Sequence, residues 1–107
     1  IISAPLGYLD FIFLLKNSML ALTDSGGVVE ETAILNIPCI TLRDSTEWME
    51  TVEYGKNFLT GTDLKAALSL TDKILNDKEF RSQILKAPQP FPVMNASEKI
   101  YNFLRSL

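Results

Sequence analysis

The sequence predicts an α/β fold in which a parallel sheet is flanked by helices. Apolar runs of strand length alternate with longer stretches of helical periodicity, the order that parallel strands require because a helix carries the chain back between them. Hydrophobic residues make up 47% of the 107 residues and charged residues 21%, which is typical of a globular domain. We expect residues 1–107 to form a single domain. Three strands are few for such a sheet, so we expect the chain to be a piece of a longer protein.

The first half of the chain contains two predicted helices and two predicted strands. Residues 9–16 (LDFIFLLK) are apolar almost all round, as in a helix buried on more than one side. Residues 19–23 form a compact apolar run typical of a buried parallel strand. Residues 28–35 have helical spacing, and Asn36 can end this helix because Asn tolerates a left-handed conformation. A second strand is predicted over residues 38–42.

The second half contains the third strand and is otherwise mostly helical. A short helix is predicted over residues 47–53 and a strand over residues 57–60. Asp63 is suited to cap the N-terminus of a helix over residues 64–75. One apolar stripe is predicted along this helix, formed by Leu64, Ala67, Leu68, Ile74 and Leu75. Three further segments follow: helical turns over 79–85, an extended proline-rich passage over 87–92, and a final helix over 96–107.

Composition excludes several classes of protein. The net charge is −3 and the basic residues are not clustered, which argues against a nucleic-acid partner. The single cysteine, Cys39, has no disulfide partner within the chain, which favours a reducing cytoplasm. The apolar opening stretch is interrupted by Pro5, Gly7 and Asp10, so no membrane span is expected there. The chain has no histidine, the commonest general base and metal ligand, and we expect neither a metal nor another cofactor.

One turn has the features of an anion site. Residues 24–27 (DSGG) follow the first strand and precede a helix, and ligands of α/β sheets bind beyond the carboxyl ends of the strands. The two glycines let an anion approach the backbone, the helix N-terminus offers unpaired N–H groups, and Ser25 adds a hydroxyl. Glu30 or Glu31 could then accept hydrogen bonds from a ribose. The simpler alternatives are a tight turn without a ligand and acidic residues favoured by the helix dipole.

A second candidate segment follows the second strand. Residues 43–50 (RDSTEWME) combine an arginine, two hydroxyls and three acids, so this segment could contact a sugar or phosphate, with Arg43 as a candidate ligand contact. It is equally typical of an ordinary helix start, in which Ser45 or Thr46 caps and acidic residues occupy the first turns. Trp48 could belong to the core or present its ring to a ligand.

Six short motifs lie in a fixed order along the chain: PLGYLDF at residues 5–11, LTDSGGVVEE at 22–31, RDSTE at 43–47, ETVE at 50–53, GKN at 55–57 and TGT at 60–62. In this order and spacing they resemble the non-hydrolysing UDP-N-acetylglucosamine 2-epimerases. The resemblance covers about the last third of a family member. It implies a GT-B architecture, in which two Rossmann-like domains enclose the active site, and this chain would be the C-terminal, UDP-binding domain.

The resemblance also implies an activity. The family interconverts UDP-N-acetylglucosamine and UDP-N-acetylmannosamine by eliminating UDP and adding it back after C2 is protonated on the opposite face. Its acid and base residues lie outside the matching region, so this chain would hold no catalytic residue and would be inactive alone. The implied partners are UDP-N-acetylglucosamine or UDP, the N-terminal domain of the same protein, and a second copy in a homodimer. The matching positions are Ser25, Gly26 and Gly27 for the diphosphate, Glu31 for the ribose, and Phe11 and Leu6 for the uracil.

The chain departs from the family pattern in two places. The family usually continues Thr-Glu-Arg-Pro-Glu, whereas residues 46–50 read TEWME, so Trp48 stands where the family has an arginine that contacts the substrate. The family's Asn-Pro-Tyr-Gly-Asp-Gly loop is not preserved in residues 87–92. Two other functions therefore stay open: the donor-binding domain of a GT-B glycosyltransferase, and a non-catalytic module that binds nucleotide sugars.

Overall fold

The computed structural model describes residues 1–91 and 95–107. Pro92, the last residue of the predicted proline-rich passage, lies outside the described residues. The elements in chain order are α1 (Tyr8–Lys16), β1 (Ala21–Thr23), α2 (Gly26–Leu35), β2 (Cys39–Thr41), α3 (Met49–Glu53), β3 (Asn57–Leu59), α4 (Leu64–Asn76), α5 (Lys78–Lys86) and α6 (Ala96–Ser106).

The three strands form one parallel sheet in the order β1-β2-β3. Ala21 aligns with Cys39, which aligns with Asn57, so the three strands begin and end together. Each strand is shorter than predicted, with three residues, but the predicted parallel sheet with connecting helices is confirmed. Since all three strands end at one edge, the segments after β1 and β2 lie side by side.

One face of the sheet packs on α4 and α5. Ile40, at the centre of β2, points to this face and is completely buried. Burial of an isoleucine of this kind contributes about 1.5–3 kcal/mol. The predicted apolar stripe of α4 is partly wrong, because Leu64 and Leu68 are exposed at 72% and 68% on a helix that contacts the sheet with one side. The residues that cluster around Ile40 are Ala67, Ile74 and Ile84.

The other face of β2 packs on α2. Cys39 and Thr41 alternate with Ile40 and therefore point away from α4, as successive strand residues do. Cys39 lies beside Thr32, a buried residue of α2. The sheet is thus covered by helices on both faces, which is why its central strand is buried at every residue and has no polar side facing solvent.

Helix α2 begins two residues before the predicted start. Gly26 is its first residue, because the Ser25 hydroxyl caps the helix by accepting a hydrogen bond from the Val28 backbone N–H at 3.5 Å. The predicted end is confirmed: Asn36 has φ 59° and ψ 44°, a left-handed conformation. The glycines of the turn therefore belong to the first turn of the helix.

Helix α3 begins two residues after the predicted start. The Thr46 hydroxyl accepts a hydrogen bond from the Trp48 backbone N–H at 3.1 Å, and this tight local bond keeps residues 46–48 out of the helix. Met49 is the first helical residue, and neither Ser45 nor Thr46 caps it. The helix-start interpretation of this segment is therefore wrong in its capping residues.

Much apolar side-chain surface remains exposed at the ends of the chain. Helix α1 was predicted to be buried on more than one side, which is wrong within the described part of the chain: Leu15 is buried there, whereas Leu9 and Phe13 are 81% and 72% exposed. Helix α1 contacts α2 along one side. All of residues 95–107, which include α6, are exposed. Within the described residues no helix is both long and apolar enough to cross a bilayer.

Candidate functional site

The N-terminus of α2 lies at the carboxyl end of β1. The Thr23 hydroxyl, at the last residue of the strand, accepts a hydrogen bond from the Ser25 backbone N–H at 3.0 Å, which fixes the turn. The Ser25 hydroxyl oxygen accepts the capping bond from Val28. A hydroxyl has one proton to donate in addition to its lone pairs, so Ser25 can cap the helix and still donate to an anion.

Two backbone donors are free at this helix end. Among residues 1–91 and 95–107, neither the backbone N–H of Gly26 nor that of Gly27 donates a hydrogen bond. A cluster of unpaired N–H groups at a helix N-terminus, together with the positive end of the helix dipole, favours a bound anion. The geometry of this turn therefore suits a phosphate or carboxylate.

The segment after β2 covers this helix end. The Glu47 carboxylate lies so close to Gly26 that a Cβ there would be only 2.8 Å from its Cδ. Arg43 pairs with the same carboxylate at 3.5 Å, from Nη1 to Oε2. The Asp44 carboxylate is packed in the same way against Gly61, whose φ is +56°. Two glycines thus make room for two carboxylates of one loop.

A buried polar network supports the base of that loop. The Thr41 hydroxyl donates to Asn57 Oδ1 at 2.6 Å, and Asn57 Nδ2 donates to the Thr51 hydroxyl at 3.2 Å. The Thr51 hydroxyl in turn donates to the Trp48 carbonyl at 2.6 Å. Because the three side chains are 2% exposed or less, these bonds are shielded from water. They fix the start of α3, and so the end of the loop, relative to β2 and β3.

Glu31 faces α1. Hydrogen bonding to the Glu31 carboxylate, together with its negative charge, raises the pKa of the Tyr8 hydroxyl above its ordinary value of 10.0. Tyr8 is the first residue of α1 and its side chain is exposed. The predicted ribose-binding position thus lies at the junction of α1 and α2, next to a phenol hydroxyl that the sequence did not indicate.

The two predicted uracil positions lie in different surroundings. Phe11 is half-buried and lines a cleft of about 280 Å³ between α1 and β1, which Val28 closes at the start of α2. Leu6 precedes α1, is 44% exposed and does not line that cleft. The cleft adjoins the free turn of α2, because Thr23 also lines it.

Trp48 packs against an aromatic residue near the end of the proline-rich passage. Its ring meets the Phe91 ring edge to face, with centroids 5.6 Å apart, a geometry that aromatic pairs favour. Trp48 and the residues before Pro92 are the two places where the chain departs from the family pattern, and the structure brings them into contact. The Trp48 ring therefore packs against protein on at least one edge.

The structure brings together three of the predicted site residues with one that the sequence did not single out. Gly26 and Arg43 contact the Glu47 carboxylate and Ser25 lies next to Gly26, whereas Glu31 faces α1 and Trp48 faces Phe91. A signal for Glu47 existed, because the ends of adjacent parallel strands meet at one sheet edge. Tyr8 lies within the PLGYLDF motif, but no sequence observation assigned a role to its side chain. In the described part of the chain, no cluster of three or more Cys, Asp or Glu side chains could hold a metal.

Comparison with known proteins identifies the family. A family model described as UDP-N-acetylglucosamine 2-epimerase matches residues 1–105. The UDP-N-acetylglucosamine 2-epimerase of Methanocaldococcus jannaschii is 54% identical over 74 residues, which are 69% of this chain and 20% of that protein. A UDP-2,3-diacetamido-2,3-dideoxy-D-glucuronate 2-epimerase of Pseudomonas aeruginosa is 54% identical over 57 residues, 53% of this chain and 16% of the relative.

A solved structure shows the same fold. The crystal structure of M. jannaschii UDP-GlcNAc 2-epimerase in complex with UDP-GlcNAc and UDP superposes with a TM-score of 0.83 at 44% identity, covering 96% of this chain and 27% of that one. The chain thus spans about a quarter of the length of the proteins it matches. The match favours the epimerase family over the glycosyltransferases. The chain belongs to the UDP-N-acetylglucosamine 2-epimerase family.

Proposed function

We propose that the chain is the UDP-binding C-terminal part of an isomerase that interconverts UDP-N-acetylglucosamine and UDP-N-acetylmannosamine. The observation that carries this proposal is the pair of free N–H groups of Gly26 and Gly27 at the start of α2, behind the Ser25 hydroxyl. A diphosphate needs such donors and tolerates no side chain between itself and the backbone. The M. jannaschii relative, described as a complex with UDP-GlcNAc and UDP, supports the choice of ligand.

In the proposed complex, the different parts of UDP contact different elements around this turn. The diphosphate lies on the α2 N-terminus, the ribose hydroxyls donate to the Glu31 carboxylate, and the uracil lies between Phe11 and Leu6. Arg43, which follows the adjacent strand, contacts a phosphate or the sugar. We assign Trp48 to the wall of the sugar site, supported by its place at the start of α3.

The chain by itself is proposed to bind the leaving group without performing proton transfer. It has no histidine, and the free turn of α2 offers hydrogen-bond donors rather than a general base. The partner is the N-terminal domain of the same protein, and we further propose a homodimer, a cytoplasmic location and a role in polysaccharide biosynthesis. Incubation of the chain with UDP-N-acetylglucosamine, followed by NMR, should yield no UDP-N-acetylmannosamine. Turnover that Ser25→Ala abolishes would contradict this assignment.

Calorimetric titration with UDP tests the binding site. Ser25→Ala and Glu31→Gln should each weaken UDP binding about tenfold, since a hydrogen bond to a charged group contributes about 1.5–3 kcal/mol. Ser69→Ala and Glu98→Gln make the same chemical changes at exposed positions of α4 and α6 and should leave the affinity unchanged. Absence of UDP binding by the unmodified chain, or equal affinities in all five proteins, would refute the proposal.

A second candidate is epimerisation of a different UDP-sugar. The P. aeruginosa relative acts, by its name, on a diacetamido glucuronate, and Trp48 replaces an arginine of the family pattern in this chain. The phosphate and ribose contacts would be the same in both cases. Competition between UDP-N-acetylglucosamine and UDP separates the candidates. If the N-acetylglucosamine group fits the site, UDP-N-acetylglucosamine should bind more tightly than UDP. If it does not fit, UDP-N-acetylglucosamine should bind more weakly than UDP.

A further inference from the structure

The Glu47 carboxylate lies against the N-terminus of α2. The carboxylate lies directly over Gly26, where even a methyl group would clash with it. Gly27, one residue further, has ordinary space: an added Cβ would meet the Ser25 hydroxyl at 3.9 Å. The contact is therefore specific to the first residue of α2, which carries one of the two free N–H groups.

Charge explains why the carboxylate lies there. The first turn of α2 has no acidic residue, so no carboxylate within that turn compensates the positive end of the helix dipole. Glu47 reaches this end from the neighbouring loop, and its other oxygen pairs with Arg43. A carboxylate at this place has the charge and the acceptor atoms of a phosphate oxygen, and the two anions cannot share the position.

Displacing the carboxylate is inexpensive. The Glu47 side chain is 54% exposed and that of Arg43 is 42% exposed, and ion pairs between exposed side chains are weak. The Glu47 side chain is long and can rotate into solvent without moving the backbone, while the network of Thr41, Asn57 and Thr51 keeps the end of the loop in place. When Glu47 leaves, Arg43 loses its partner and becomes free to pair with the incoming anion.

We infer that Glu47 is a stand-in for the ligand: its carboxylate lies over Gly26, next to the proposed diphosphate position, and must move away before the diphosphate of a UDP compound can bind. This inference rests on the proposed function. On this view Glu47 lowers the affinity of the site for UDP compounds. Ligand binding would also break the Glu47–Arg43 ion pair and leave Arg43 free to pair with the ligand.

Four proteins titrated with UDP test this inference. Glu47→Gln removes the charge and should tighten UDP binding about three- to tenfold, the size of a charge effect at a helix end. Glu47→Asp keeps the charge but is one methylene shorter, so it cannot reach Gly26 and should also tighten binding. Glu50→Gln removes a nearby charge from the first turn of α3 and should change the affinity less than twofold. With uridine, which has no phosphate, no variant should differ from the unmodified chain.

The outcomes separate the inference from the function on which it rests. If Glu47→Gln tightens binding and Glu47→Asp does not, the effect is through-space repulsion and the stand-in role is wrong. Weaker binding in both variants would make Glu47 a ligand contact, which also overturns the inference. If UDP binds to none of the proteins, the proposed function itself fails. NMR shifts of the Gly26 and Gly27 amides, which should change in Glu47→Asp but not in Glu50→Gln, check the carboxylate position without a ligand.

Discussion

At the residue scale, Cys39 shows how burial controls chemistry. It begins the central strand, is 1% exposed, and lies between Thr32 of α2 and Thr41 of its own strand. Burial raises the pKa of its thiol above the ordinary value of 9.0, and the two nearby threonine hydroxyls offset part of that rise. A protonated, enclosed thiol is a poor nucleophile, so Cys39 contributes packing to this sheet.

The raised pKa of Cys39 predicts a loss of stability at alkaline pH. The folded state holds the thiol proton at a pH where the unfolded chain has lost it, so this contribution is complete below pH 9.0 and disappears as the pH rises through the folded pKa. As the pH rises, the free energy of unfolding of Cys39→Ala should fall less steeply than that of the unmodified chain. The two slopes should differ by up to about 1.4 kcal/mol per pH unit. Urea titrations from about pH 8 to about pH 10.5 measure the slopes; equal slopes would contradict the prediction.

At the element scale, Lys56 joins three parts of the fold. It precedes β3 and is 2% exposed, the only charged side chain buried within the described residues. Its ammonium group donates to Asn36 Oδ1 at 2.6 Å and to the Ile84 carbonyl at 2.8 Å. It thereby connects β3 to the end of α2 and to the last turn of α5. Desolvation lowers the pKa of Lys56, and the acceptors compensate for part of that cost.

Loss of the Lys56 ammonium group should destabilise the fold. Lys56→Met keeps an unbranched apolar stem but leaves the acceptors at Asn36 and Ile84 without their donor, which should lower the free energy of unfolding by about 3 kcal/mol. Lys65→Met, at an exposed position of α4, should change it by less than about 0.5 kcal/mol. Urea denaturation compares them. Equal stability of Lys56→Met and the unmodified chain would show that the ammonium group contributes nothing net.

At the scale of the whole molecule, stability is unevenly distributed. The core lies around β2, whose residues are all buried. Residues 95–107 are all exposed, among them the large apolar side chains of Ile100, Phe103 and Leu104. An isolated helix shorter than about 12–15 residues is marginal in water, and α6 has 11. Its helicity in this chain therefore depends on its own sequence rather than on packing.

Hydrogen exchange should reveal this difference. Amides of β2 should exchange only through global unfolding, whereas amides of α6 should exchange nearly as fast as those of an unstructured peptide. The free energy of unfolding of a chain that lacks residues 95–107 should lie within about 0.5 kcal/mol of that of the unmodified chain. Strong protection of α6 amides in the monomer would show that the helix packs on the rest of the chain and would contradict the prediction.

Local sequence signals predicted most of the fold and part of the candidate site. The strand and helix periodicities predicted the alternation of elements, and Asn36 predicted the end of α2. The DSGG turn indicated unpaired N–H groups at the start of that helix. Two further features depend on residues far apart in the chain. Glu47 meets Gly26 across 21 positions, and Phe91 meets Trp48 across 43, so no local pattern could indicate either contact.

The sequence by itself determined the α/β order and the DSGG turn after the first strand, because each depends on the conformational preferences of neighbouring residues, and it carried the family motifs. Only the tertiary structure decided that the Glu47 carboxylate lies against this turn. Parallel pairing of β1 and β2 brings their ends together, and the Glu47 carboxylate from the loop after β2 then lies at the positive end of α2. The turn and the helix that follows it were predictable, whereas the contact of Glu47 with Gly26 follows from the packing of two loops that are far apart in the sequence.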